Sequence, residues 1–302
     1  MTSPRLGPIA RTLFTLLVAS TPAVAGQTRW LVTTHSGNDV LAFDQKGNGT
    51  ILVAPGEGGL DGARGEIFGP DGDLYLASSK KDKSEILRYS PDGKFKSVFA
   101  TGGGLKHPYD LVFGPDGNLF VSGQDDDAVS RYDGKTGKFL DTFVPAGTGG
   151  LKTVRGLTFG PDGNLYVASR DTHSVLRFDG KTGKFLGDFV ARKSGELSKP
   201  IQVHFGPDKN LYVGSSGTDA ILRYDGKTGK FIDAFVAPKS GGLNAPSGFC
   251  FDPVDGDLIV DSRLSSQILR FDGKTGKFKS VVVSEKAPGM ENPEFILPLP
   301  RR

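Results

Sequence analysis

The chain has 302 residues, a formal charge of +3, 43 glycines, 19 prolines and a single cysteine. A balance so close to neutral argues against nucleic acid as the main partner, and one thiol excludes an internal disulfide. Glycine and proline make up about a fifth of the chain, high for a helical protein yet below the roughly 25–30% of disordered sequences.

Residues 1–25 differ from everything that follows. Arg5 and Arg11 precede the apolar run 13–19, and Ala23-Val24-Ala25 closes it, the pattern of a secretory signal peptide with an A-x-A cleavage site. The mature chain is expected to begin at Gly26, to carry +1 once the two leader arginines are gone, and to be exported to a periplasm or the extracellular space. The apolar run is too short to span a bilayer, and nothing later approaches the roughly 20 apolar residues of a transmembrane segment.

Residues 26–302 read as one domain built by repetition. Phe68-Gly-Pro-Asp-Gly72 returns at Phe113 and Phe159, then loosely at Phe205 and Phe251, in steps of 45, 46, 46 and 46 residues. Asp133-Gly-Lys-Thr-Gly-Lys-Phe139 returns letter for letter from Asp179, Asp225 and Asp272. One repeat predicts four short strands: Gly156 to Phe159, Asn164 to Ser169, Ser174 to Phe178 and Lys184 to Val190. Asp-Gly pairs in the turns supply the positive φ of tight hairpins, and aromatic and β-branched residues fill the strands. Four antiparallel strands at a period near 46 residues mark a β-propeller blade. Six sets of second, third and fourth strands are present, but only five first strands precede one. The stretch Asn292 to Leu297 aligns with Ala245 to Cys250. The sequence therefore predicts an all-β, six-bladed propeller whose C-terminus supplies the innermost strand of the N-terminal blade.

The Gly-Pro-Asp-Gly-Asn-Leu-Tyr-Val-Ala core at 160–168, the start Pro246-Ser247-Gly248-Phe249 and the closing Arg-Phe/Tyr-Asp resemble NHL-type propellers. The core is also similar to the repeats of streptogramin (virginiamycin B) lyases. The resemblance covers nearly the whole mature chain and implies the propeller fold. Lyase-like repeats usually continue Leu-Trp-Phe-Thr-Glu. Here Tyr75, Phe120, Tyr166, Tyr212 and Ile259 stand in place of Trp, and Thr34, Ser78, Gly123, Ser169, Ser215 and Ser262 in place of Glu. The Glu-Gly-Pro and Ser-Asp-Gly tripeptides of lactonases similar to the senescence-marker type are absent as well.

The repeated turns share one face, so a specific site belongs on the other, where the blades vary. In register, the starts of the inner strands bring Arg64, Tyr109, Arg155, Ile201, Ser247 and Glu294 to the channel mouth. Gly65, Asp110, Gly156, Gln202, Gly248 and Phe295 follow one residue on. The ends of the second strands contribute His35, Ser79, Gln124, Arg170, Ser216 and Arg263. A guanidinium cluster suits bidentate binding of a carboxylate or phosphate. The candidate ligand-binding residues are thus Arg64, Tyr109, Asp110, Arg155, Arg170, Gln202, Arg263, Glu294 and His35; the alternative is that the arginines pair with Glu294, Asp110 and Asp261 or face water.

Other motifs point to structure. Gly-Lys-Thr lacks the glycine and helix of a phosphate loop, and the eight turn lysines share their face with seven aspartates that offset them. Asp125-Asp126-Asp127 and Asp252 to Asp257 lack the full spacing of a Ca²⁺ loop, the four histidines lack zinc spacing, and Cys250 reads as a small buried hydrophobe. Two functions stay open: an exported, non-catalytic propeller, expected to be a monomer, that binds an anionic ligand or a partner protein without a cofactor; or a lyase or lactonase that would use a divalent metal such as Ca²⁺ or Mg²⁺.

Overall fold

The computed structural model describes residues 28–80, 83–285 and 287–299; the signal-peptide expectation lies outside them. Blade 1 begins with β1 (Thr28–Thr34), β2 (Asp39–Asp44) and β3 (Gly49–Val53). Blade 2 is β4 (Ala63–Phe68), β5 (Leu74–Lys80), β6 (Lys83–Tyr89) and β7 (Phe95–Thr101); blade 3 is β8 (Pro108–Phe113), β9 (Leu119–Gly123), β10 (Ala128–Tyr132) and β11 (Phe139–Val144). Blade 4 is β12 (Val154–Phe159), β13 (Leu165–Ser169), β14 (Ser174–Phe178) and β15 (Phe185–Val190); blade 5 is β16 (Pro200–Phe205), β17 (Leu211–Ser215), β18 (Ala220–Tyr224) and β19 (Phe231–Val236). Blade 6 is β20 (Phe249–Phe251), β21 (Leu258–Ser262), β22 (Gln267–Phe271) and β23 (Phe278–Val283), and β24 (Pro293–Pro298) follows. Each blade is a four-stranded antiparallel sheet, and β24 pairs with β1 as the inner strand of blade 1. The ring therefore closes as the strand count predicts. Arg29 adds a tie from blade 1 to blade 6, with its guanidinium 2.7 Å from Asp252. Among the described residues no helix is long and apolar enough to cross a membrane.

The invariant letters of the repeat turn out to be joints. Asp162 accepts the Asn164 backbone N–H at 3.1 Å and the Tyr166 hydroxyl at 2.9 Å, which fixes the first hairpin to the second strand. The Tyr166 ring then meets Phe189 of its own outer strand at 4.7 Å and Phe205 of the next blade at 5.0 Å, both edge-on. Tyr75, Phe120 and Tyr212 repeat this clasp. Such edge-to-face pairs contribute about 0.5–1.5 kcal/mol each beyond the area they bury. In the second motif Asp179 accepts the Thr182 N–H at 2.9 Å and its hydroxyl at 2.8 Å. The last glycine, Gly183, has φ +71, and a Cβ there would collide with the Phe143 carbonyl of the preceding blade. This sequence recurs because the blades touch backbone to backbone at that point.

The inner edges differ from blade to blade. At the inner-strand position that follows the channel-mouth residues, five blades place Leu111, Leu157, Val203, Phe249 and Ile296 in the core. Blade 2 places Glu66 there, 6% exposed, with neither carboxylate oxygen hydrogen-bonded. Burial pushes this carboxyl well above its ordinary value; the nearby Thr33 backbone opposes the shift but forms no hydrogen bond of normal geometry. A group whose folded value is raised costs stability as pH rises above its unfolded value near 4.5. Glu66→Leu should therefore stabilise the fold by about 1–3 kcal/mol at pH 8 and by less at pH 4. Urea melts at the two pH values measure this, and an equal or destabilising effect at pH 8 would contradict the reading.

Candidate functional site at the channel mouth

The inner strands reach the mouth through bulges. Ladder pairing skips Arg64 and Gly65 in β4, Tyr109 and Asp110 in β8, Arg155 and Gly156 in β12, and Ile201 and Gln202 in β16. In β24 it skips Glu294. A bulge re-aims a side chain without ending the sheet, and here it lifts one residue per blade out of the ladder at the top of the channel. In blade 6 the same role falls to Asp261, whose carboxylate accepts the N–H groups of Ser247 and Gly248 at 2.7 Å each.

The next position alternates around the ring. Gly65, Gly156 and Gly248 belong to blades 2, 4 and 6, and a Cβ at any of them would press within 2.6–2.8 Å of the backbone of the following inner strand. Asp110, Gln202 and Phe295 belong to blades 3, 5 and 1. Asp110 accepts the N–H of Leu111 at 2.8 Å and of Leu157 in the next blade at 3.1 Å. Gln202 accepts the N–H of Phe249 in its next blade at 2.6 Å. These two side chains thus join inner strands to one another. Burial pushes the Asp110 carboxyl up to about 7, against the two N–H groups, and pushes Asp261 well above the carboxylate range.

At the mouth itself Glu294, 2% exposed, is the hub. It receives Arg64 Nη1 at 2.6 Å, the Tyr109 hydroxyl at 2.8 Å and the Ser247 hydroxyl at 2.9 Å. Burial alone would raise its carboxyl, but Arg64, then Arg263, then the two hydroxyls outweigh burial and hold it below the ordinary value. Tyr109 spans the axis from blade 3 to reach Glu294 of blade 1, and its ring packs with Ile201 and Phe295. Burial, then Glu294, push its hydroxyl up to about 12. An apolar floor beneath a polar rim closes the channel at this level. The Arg64 guanidinium carbon lies 5.2 Å and that of Arg155 4.1 Å from the Tyr109 ring centroid.

Two histidines complete the rim. Arg64 Nη2 lies 3.2 Å from His35 Nε2 and 3.4 Å from His107 Nε2. A guanidinium only donates, so both Nε2 atoms are acceptors and both rings carry their proton on Nδ1. His107 Nδ1 donates to Asp125 at 3.3 Å, whereas His35 Nδ1 is buried without a partner. Burial and then Arg64 lower both imidazoles, opposed by Glu294 at His35 and by Asp125 at His107. Both are neutral at pH 7.

The structure thus brings Arg64, Tyr109, Glu294 and His35 into direct contact and stacks Arg155 on Tyr109. Arg170 is engaged with Asp171 at 2.7 Å, while Asp110 and Gln202 are spent on backbone between blades. The Arg155 and Arg263 side chains make no hydrogen bond or ion pair among the described residues, although Arg263 lies near enough to Glu294 and Asp261 to influence both. The pairing of His107 with Asp125 was hidden from a reading of motifs, since the two are 18 residues apart. The register carries the signal: the Gln124 N–H bonds to the His107 carbonyl, which sets Asp125 beside the ring. Among the described residues no group of three or more His, Cys, Asp or Glu is placed to hold a metal ion.

No family profile matches the sequence, and no curated relative matches it. Solved structures do match in shape. A catalytically inactive virginiamycin B lyase from Staphylococcus aureus, with quinupristin, is 15% identical with a TM-score of 0.62 over 88% of each chain. A chain of a nidogen/laminin complex is 15% identical with a TM-score of 0.65, over 89% of this chain and 97% of that one. A putative 6-phosphogluconolactonase from Bacteroides uniformis is 14% identical with a TM-score of 0.60, over 84% and 81%. The lyase, the putative lactonase and the nidogen/laminin chain thus share this shape, and identity this low speaks for the fold alone. The chain is a six-bladed β-propeller similar in shape to streptogramin lyases.

Proposed function

We propose that the protein is an exported β-propeller that binds a small anionic ligand, a carboxylate or phosphate, at the channel mouth. The observation that supports this is Arg155: its guanidinium is largely withdrawn from water, stacked on Tyr109, and has no acceptor among the described residues. Desolvating a guanidinium without a partner is costly. Arg64 does not share that state, because Glu294 neutralises it. Arg263, also without a paired carboxylate, supplies a second positive group near Glu294. A panel of mono- and dicarboxylates and inorganic phosphate, titrated by calorimetry, tests the reading. Arg155→Ala should weaken binding by about 10-fold or more while the melting temperature stays within a few degrees. Protonation of His35 and His107 would add positive charge beside Arg64 and Arg155, so affinity should rise as pH falls from 7 to 5. Unchanged affinity in Arg155→Ala, or loss of affinity on acidification, would remove the proposal.

One observation favours a second reading, catalysis of the lyase or lactonase kind. Asp125 orients His107 so that its Nε2 lone pair accepts from Arg64 at the mouth, and a substrate that displaced Arg64 would meet a general base there. A pH–rate profile that collapses in His107→Gln, for any turnover found, would bring this reading forward.

A further inference from the structure

Between blades 4 and 5, on the variable face, lies a cavity of about 360 Å³ lined by His173, Lys193, Glu196, Leu197 and Ser198. It shares no residue with the channel-mouth cluster. The chain at this corner departs from its own repeat in three places, and each departure adds a polar function to the cavity.

The first is His173. Where the chain turns between the second and third strands, other blades use Asn38, Asp127 or Asp219 to accept one backbone N–H from the following connection, those of Ala63, Thr153 and Ala245. His173 does the same through Nδ1, which accepts the Lys199 N–H at 3.0 Å. That bond places the ring proton on Nε2. Asp127 and Asp219 end in a second acceptor and Asn38 spends its amide donor on the Leu60 carbonyl at 3.0 Å, whereas His173 ends in a donor with no partner among the described residues.

The second and third are Lys193, which precedes the short 3-10 turn Ser194–Glu196, and Glu196, which ends it. The position of Glu196 is Gly59, Gly104, Gly150 and Gly242 in the other connections, all with φ between +81 and +91. Glu196 stands there with φ +64. Lys193, φ +58, replaces Gly56 and Gly147, a change shared with Lys239. A left-handed conformation costs a residue with a Cβ roughly 1 kcal/mol relative to glycine. Glu196 and Lys193 are oppositely charged and line one cavity, yet form no ion pair or side-chain hydrogen bond with each other or with another described residue. The Ser198 hydroxyl adds a further polar group, while the Leu197 side chain is packed away in the core.

We infer that this cavity binds a zwitterion of the α-amino-acid type. The Lys193 ammonium, with the His173 Nε2–H, would hold the carboxylate, and the Glu196 carboxylate would hold the ammonium. A simple anion would gain nothing from Glu196, and a simple cation nothing from Lys193, so the pair selects for both charges on one small molecule. The volume lies within the range of about 300–1,000 Å³ usual for small-ligand pockets.

The experiment titrates L-leucine, 4-methylvalerate and isoamylamine, the last two each lacking one charge, into the full chain by calorimetry. The wild type should bind L-leucine at least ~10-fold more tightly than either analogue. Glu196→Gly and Lys193→Gly restore residues that other blades carry at those φ values, so both variants should fold and melt no lower than the wild type; each should lose ~10-fold or more in affinity for L-leucine. No binding of L-leucine up to about 10 mM, equal affinity for an analogue, or unchanged affinity in Glu196→Gly would overturn the inference. So would loss of L-leucine binding in Arg155→Ala with retention in Glu196→Gly, which would move the ligand to the channel mouth.

Discussion

A chain ending at Met290 is expected to lose its cooperative thermal transition. The deletion takes away β24, which pairs with β1 from Trp30 to Thr34, and with it Phe295, Ile296 and Leu297. Burial of side chains of this size contributes about 1.5–3 kcal/mol each. Their sum is comparable to the roughly 5–15 kcal/mol that holds a whole domain folded. The loss also uncovers β1, buried at Trp30, Leu31 and Val32, as an unpaired edge inviting aggregation. A peptide of residues 291–302 supplied in trans should restore part of the transition, because it can re-form the ladder. Near-UV circular dichroism during heating measures both effects, and a truncated chain that melts like the full one would refute closure by the C-terminal strand.

The second large effect is expected at Arg64. Arg64→Ala leaves Glu294 at 2% exposure with two hydroxyl donors and no paired cation. Breaking a buried pair from one side costs about 3–5 kcal/mol. The pH dependence should change sign with it. In the wild type Glu294 is held below its ordinary value, chiefly by Arg64 against burial, so its contribution is present above the unfolded value near 4.5 and fades as pH falls through the folded one. Without Arg64 burial dominates, the folded value rises above the unfolded one, and the variant should become more stable on acidification. Arg64→Ala combined with Glu294→Gln should regain much of the loss, since the remaining amide carries no charge. Denaturant melts of the three variants at pH 4 and 8 decide this. A single variant that is equally destabilised at both pH values would show that Arg64 acts through packing alone.

What could be read from the letters, and what could not, follows the range of the forces involved. The turns were legible because they are local: Asp162 binds a backbone N–H two residues away, and Gly183 needs a conformation that its own missing Cβ permits. Ring closure was legible because a strand count left one blade without an inner strand and one stretch without a blade. The rim residues could be aligned, since register puts them at one height, but their fates could not be told apart. Asp110 and Arg64 occupy adjacent rings in the alignment, yet one is committed to the Leu157 backbone and the other to Glu294.

Sequence alone determined the architecture: 46-residue spacing, turn chemistry and alternating apolar residues are short-range properties that each blade satisfies by itself or with its neighbour. Only the tertiary structure decided the chemistry of the mouth. Glu294, Tyr109, Ser247 and Arg64 come from four different blades and meet only once the ring has closed. Their charges and protons are set by mutual distance and by exclusion of water, which no local spacing encodes.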